Sequence, residues 1–277
     1  MVSPAELSPD PRLRGKTGHY DRDEIASQLG AFYKFLPHIP LSSIHRAPPE
    51  GWPSITAEVL EKRGIHKTPE AVELLRHLPY IEGDHPWIAP EAFPCDYRIL
   101  GGQVSSRDTP GWVQDVQQDS GNVTSPDGSP AGVEKWPPWV VQLTTGTDRE
   151  GSCYMLDTTD GTVTKYCAVG YLYEPTYNEG DPRAWRDRLC GEDTVTLVDQ
   201  VNTWRREYHQ LRYLGIPDAG DGNGYPSLHF HREEDGPDSY DWKETEELRS
   251  IYRKHGWPDN YDKETCREAL KAWYLAQ

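Results

Sequence analysis

Two histidines one residue apart, His229 and His231, stand just before Glu233, Glu234 and Asp235. On a strand both imidazoles would share one face, a geometry that can hold a metal ion, with a neighbouring carboxylate to complete the set. The plainer reading is two surface histidines beside an acidic loop, so no metal and no other cofactor is expected. A second group comprises Asp148, Glu150, Asp157 and Asp160. Paired carboxylates do acid–base work or bind a cation. Asp and Gly are also what tight turns demand, and these four fall at expected turns. Asp157, Asp160, His229 and His231 are therefore the candidate catalytic residues. The run 218–224, Asp-Ala-Gly-Asp-Gly-Asn-Gly, has a calcium-loop composition but lacks the terminal glutamate at the required offset. No Gly-x-Ser-x-Gly elbow, phosphate loop or dinucleotide fingerprint occurs.

The chain is rich in large amphipathic aromatics, with Trp 10 and Tyr 16 against Phe 4. Such side chains bury much area but carry a polar handle that needs a partner. Most would simply pack in the core. Trp52, Trp87, Trp112, Trp136, Trp139 and Tyr173 lie mostly in irregular segments or at strand starts, which favours a binding surface. Trp52, Trp87, Trp112, Trp136 and Tyr173 are the candidate binding residues, for a protein partner or a small aromatic or peptidic ligand. Pro137-Pro138 separates two of the tryptophans and holds the chain extended. Trp139, opening a strand, is expected to point inward. Trp136, outside it, is expected to be exposed.

The formal charge is -16. A field of that sign repels phosphate backbones, so nucleic acid is not an expected partner. The basic clusters, Arg205-Arg206 and 183–188, read as solvated helix faces. The five cysteines form no Cys-x-x-Cys pair, and Cys153 reads as core. No apolar run approaches membrane-spanning length, and Met1-Val2-Ser3-Pro4 does not open a signal core. The expectation is a cytoplasmic protein with reduced thiols and no membrane association.

The elements that must position these residues centre on 136–166. Residues 139–144 are apolar and β-branched, 146–151 form a polar turn, and 152–157 alternate toward a core. Asp160-Gly161 is a strong hairpin signal, and 162–166 alternate again. Three antiparallel strands follow from this, with 168–173 a possible extension and 99–103 a further strand. Helices are expected over 23–36, from near Ser54, over 68–78 with Thr68 capping and Pro69 at N1, and over 196–214. Asp241, with Glu244 as a capping-box partner, and Asp262 each cap a C-terminal helix. Residues 1–18 read as a loose arm, 105–135 as a long loop, and 241–276 as a C-terminal helical pair. The strands cluster rather than alternate with helices, so the expected fold is one α+β domain over 19–277 with a central antiparallel sheet.

This order resembles the SUKH superfamily, which contains the fungal cell-wall synthesis regulator and bacterial immunity proteins. The matching residues are Leu78-Pro79 at a helix end, Trp139-Val140-Val141-Gln142-Leu143 and a polar turn. Gly151 through Leu156-Asp157, Gly161-Thr162-Val163 and a late amphipathic helix follow. They cover roughly the middle half of the chain. The family's Gly-Gly segment is matched weakly by Gly101-Gly102, and the C-terminal helical pair is extra. The resemblance implies an α+β interaction or regulatory module without catalysis. The alternative is an enzyme of a fungal small-molecule pathway, with an aromatic-lined pocket and carboxylate or His acid–base residues. The Asp-Asp-x-x-Glu motif of arginine-containing cyclodipeptide synthases is echoed only in part, at Asp241-Trp-Lys-Glu244.

Overall fold

Helix α1, Arg22–Phe35, begins where the Asp21 carboxylate accepts the Glu24 amide at 2.8 Å. Its inward stripe is Ile25, Leu29, Phe32 and Tyr33. Helix α3, Pro69–His77, is capped by Thr68 with Pro69 in its first turn. Helix α4, Leu197–His209, is capped by Thr196 and buries Leu197, Val201, Trp204 and Tyr208 at helical spacing. Helix α2, Ala57–Lys62, is capped by Thr56. Helices α5, Tyr240–Lys254, and α6, Lys263–Tyr274, close the chain. The computed structural model describes residues 7–83, 86–90, 92–102, 135–146, 151–167, 174–178, 180–187, 191–217, 227–230 and 240–277.

The fold is α+β. Strands β4 (Val140–Gln142), β6 (Ser152–Asp157), β7 (Thr162–Cys167) and β8 (Gly191–Thr196) form one antiparallel sheet in that order. Register is set by Leu156 opposite both Val141 and Val163, and by Thr164 opposite Thr194. Three two-stranded ribbons accompany it: β1 (Ile44–His45) with β2 (Tyr80–Ile81), β3 (Ala92–Pro94) with β5 (Thr144–Gly146), and β9 (Tyr213–Ile216) with β10 (Ser227–Phe230). Every pairing among the described residues is antiparallel.

The β4, β6 and β7 strands are buried on both faces save for Lys165. On one, Val141, Tyr154, Leu156 and Val163 join the main core under α1 and α4. The Trp204 indole stacks on Phe32 at 5.3 Å and meets Tyr154 edge-on at 4.8 Å, so it links both helices to the sheet. On the other, Val140, Cys153, Met155 and Tyr166 form a second cluster with Trp136 and Trp185. All six residues of β6 are buried, where an exposed second face was expected.

Several sequence expectations are corrected. The expected helix over 196–214 ends at His209. Leu211 adopts a positive φ of 55°, and 213–216 is strand β9. A residue in the left-handed region cannot continue a helix, so Leu211 ends the run, and Leu214, though at helical spacing, serves the strand instead. The expected strand at 99–103 is a 3-10 helix, Tyr97–Gly101, capped by Asp96. The expected single strand from Trp139 splits into β4 and β5, which pair with different strands. Asp241 lies inside α5, which starts at Tyr240. The segment read as a loose arm is docked over residues 7–18: Leu13 is buried, and Gly18–Tyr20 pass over the β6–β7 turn. Gly161 there has φ 70°, and a Cβ on it would strike the His19 carbonyl oxygen. The expected long loop and the 168–173 extension lie outside the described residues, save for Lys135.

The two tryptophans around Pro137-Pro138 exchange their expected roles. Trp136 is 4% exposed and packs edge-on against Tyr166 at 5.1 Å and Trp185 at 5.9 Å. Trp139 is only half-buried at the rim of that cluster. Strand position alone points Trp139 inward, but it is Trp136 that fills the second cluster, with Trp139 at its rim. Trp136→Ala is expected to cost about 3–5 kcal/mol, as emptying a large core site does. Trp139→Ala should cost about 1–2 kcal/mol, in the ordinary range for a partly exposed site. Chemical denaturation of both variants checks the order, and the reverse order would contradict the packing.

Candidate functional site

The β6–β7 turn carries the candidates Asp157 and Asp160, and the fold brings them to one cation. Arg186, in the 3-10 helix Ala184–Asp187, is fully buried. Its Nη2 donates to Asp157 at 2.8 Å and to Asp160 at 2.8 Å, and its Nη1 donates to Asp10. The Tyr177 hydroxyl donates to Asp10 at 2.7 Å. Three carboxylates, one near the N-terminus and two on the β6–β7 turn, thus surround one guanidinium.

The other carboxylate oxygens are also engaged. Asp157 accepts from the Thr159 amide at 2.9 Å and its hydroxyl at 2.6 Å. Asp160 does the same for the amide of Thr162 at 3.0 Å and its hydroxyl at 2.7 Å. Burial raises the Asp157 pKa, with the Arg186 charge opposing it. Burial also works against the Arg186 charge, but Asp157 and Asp160 outweigh it and hold its pKa above the usual arginine value.

Flanking pairs extend the cluster. Arg12 meets Asp187 at 2.7 Å, and Arg183 donates to the Ser8 carbonyl at 2.9 Å while pairing with Asp181 at 2.8 Å. The reading of 183–188 as a solvated face is therefore corrected for Arg183 and Arg186. Local sequence carries no signal for this, because their partners Ser8, Asp10, Asp157 and Asp160 are distant in the chain.

The remaining candidates are not gathered into one site. His229 lies on β10, of which the backbone alone is described, and His231, Trp112 and Tyr173 lie outside the described residues. Trp52 is half-buried, donates its indole N–H to the Leu78 carbonyl at 2.9 Å, and lies under the Arg98 guanidinium. Trp87 is half-buried against Phe93. Trp136 belongs to the second core cluster. Among the described residues no three of His, Cys, Asp and Glu come together as a metal site, and no helix is long and apolar enough to cross a membrane. Burial raises the Cys95, Cys153 and Cys266 thiols, which disfavours the nucleophilic thiolate.

Two concavities flank α1. At its start, an open groove of about 430 Å³ is lined by Tyr20, Asp21, Arg22, Asp23, Glu70 and Glu73. At its end, a smaller pocket of about 260 Å³ lies beside His38. The His38 imidazole is buried against Gly215, so closely that a Cβ there would strike the ring, and bonds through Nε2 to the Trp87 carbonyl at 2.8 Å. Burial holds its pKa down to about 4, so the ring is neutral at physiological pH. Comparison with known proteins gives no matching family model, no matching curated protein and no matching solved structure.

Two expectations follow from these buried groups. Arg186→Met leaves carboxylates facing one another without a counter-charge, and should cost about 3–5 kcal/mol at pH 7. The abandoned carboxylates would hold protons more tightly folded than unfolded, so the deficit should shrink as pH falls to 5. Denaturation at both pH values measures this, and a loss that grows on acidification contradicts it. His38 behaves oppositely. Its folded value lies below the unfolded one, so its contribution is complete above pH 6.5 and is lost as pH falls toward 4. Between pH 7 and 5, wild type should lose about 2 kcal/mol more than His38→Gln. Equal pH dependence of the two proteins would count against a buried neutral imidazole.

Proposed function

We propose that this chain is a cytoplasmic interaction or regulatory module that works by binding rather than by catalysis, and that its partner docks through a basic segment. The observation that carries this reading is the groove between the starts of α1 and α3. Asp21, Asp23, Glu70 and Glu73 line it with Arg22 as the one cation among the described residues, and Tyr20 forms part of its wall. Arg22 is already held by Asp23 at 2.7 Å and Glu73 at 3.6 Å, so the groove keeps an excess of negative charge. An acidic groove on a chain of charge -16 suits a cationic, extended segment by complementarity.

The engagement of Asp157 and Asp160 with Arg186 supports the same reading. A general base needs an oxygen within reach of substrate, and both carboxylates face buried partners. The resemblance to SUKH modules points the same way. The small-molecule enzyme remains the alternative.

The test is direct binding of a Lys/Arg-rich peptide, with a Gly/Ser peptide of equal length as control. The basic peptide should bind, weaken as salt rises, and lose at least tenfold in affinity with Asp23→Lys, Glu70→Lys, while the thermal melt stays unchanged. Affinity that ignores both salt and charge reversal would overturn the groove. Enzymatic consumption of a small molecule by the purified protein would favour the alternative.

A further inference from the structure

Helix α6 carries Lys263, Arg267 and Lys271, spaced by four residues and so aligned along one face. That face meets the end of α1. Lys263 donates to the Lys34 carbonyl at 3.3 Å, and Arg267 donates through Nε to the His38 carbonyl at 3.2 Å. Arg267 and Lys271 then line the 260 Å³ pocket, together with the apolar Ile39, Ile81 and Pro86 and with Glu82.

The positive charge here is incompletely answered. Arg267 is 9% exposed. Its Nη1 pairs with Glu264 at 2.9 Å, while its Nη2 has no partner among the described residues. Lys271 has Glu268 at 3.7 Å, too far for a hydrogen bond, and that carboxylate is largely in solvent. Glu82 is held by His45 at 2.6 Å. Burial, with the Arg267 charge adding to it, brings the Lys263 ammonium down to about 8. Among the described residues Glu82 is the one carboxylate that lines this pocket.

We propose that the pocket binds a small organic carboxylate with a short apolar body. The carboxylate sits between Arg267 and Lys271, and the apolar part lies on Ile39, Ile81 and Pro86. Arginine suits a carboxylate because its planar fork offers parallel N–H donors. The apolar wall and Glu82 disfavour a compact polyanion such as phosphate. The volume lies below that of sites for drug-sized ligands, which limits the body to a short acyl chain or one terminal residue. A free acid and a peptide C-terminus share this chemistry. The pocket lies at the opposite end of α1 from the acidic groove and is independent of it.

Calorimetric titration of the full chain tests this, with hexanoate, hexanamide, inorganic phosphate, and a dileucine peptide in free-acid and amidated forms. Hexanoate is expected to bind at one site, at least tenfold tighter than hexanamide or phosphate, since a charge-assisted hydrogen bond outweighs a neutral one. Lys271→Gln should weaken hexanoate about tenfold with an unchanged thermal melt, which guards against misfolding in Arg267→Gln. If the free-acid peptide binds tighter than hexanoate, and its amide does not, the occupant is a chain terminus. If hexanoate is tighter, it is a free acid. Absence of saturable hexanoate binding, equal affinity for hexanamide, tighter phosphate binding, or undiminished binding to Lys271→Gln would each overturn the proposal.

Discussion

Strands β4, β6 and β7 are buried on both faces save for Lys165, and the rest of the structure follows from that constraint. Helices α1 and α4 cover one side with aliphatic and aromatic packing. The other is covered by short irregular segments that contribute Trp136 and Trp185, and a buried fastening beside them joins the pieces of chain. Arg186 supplies it. One guanidinium joins the N-terminal segment through Asp10, the β6–β7 turn through Asp157 and Asp160, and the 3-10 helix that carries it. A charge placed fully out of water is tolerable only when paired and hydrogen-bonded, so these three pieces of chain are held together or not at all.

The same fastening constrains function. Carboxylates that look available for chemistry on a hairpin turn become part of an internal ion cluster. Loop tryptophans that look available for a partner are drawn into packing, Trp136 most of all. Among the described residues, two concavities lie on surfaces that the core does not claim. These are the acidic groove at the start of α1 and the cation-lined pocket at its end. They have opposite charge character although one helix joins them, because α3 brings Glu70 and Glu73 to one end and α6 brings Arg267 and Lys271 to the other.

His38 shows how tightly the second end is built. Its neutral ring packs against Gly215, its main-chain carbonyl receives Arg267, and its Nε2 bonds to the Trp87 carbonyl. Strand β9, helix α6 and the segment before β3 therefore converge on one residue just past α1. A pocket bounded by such fixed groups is preorganised, which lowers the entropic cost of binding.

Local chemistry in the sequence determined much of the framework. Asp21, Thr68, Thr196 and Asp262 are caps because their side chains satisfy amides one turn on. The strands around Asp160-Gly161 are legible from alternation and from the demand of that turn for glycine. The α+β class follows from the order of these elements. What lay beyond reach was everything fixed by contacts distant in the chain. Strand β8 was missed because Gly191-Glu-Asp-Thr-Val-Thr has little apolar content, and pairing with β7 alone makes it a strand. Helix α4 stops short of the helical spacing that Leu211 and Leu214 continue, because Leu211 turns the chain and Leu214 belongs to strand β9. The burial of Trp136, the engagement of Asp157 and Asp160 by Arg186, and the pocket beneath α6 were decided by tertiary structure only. Periodicity shows that a residue faces a core, but not how many cores the fold has or which distant charge will meet it.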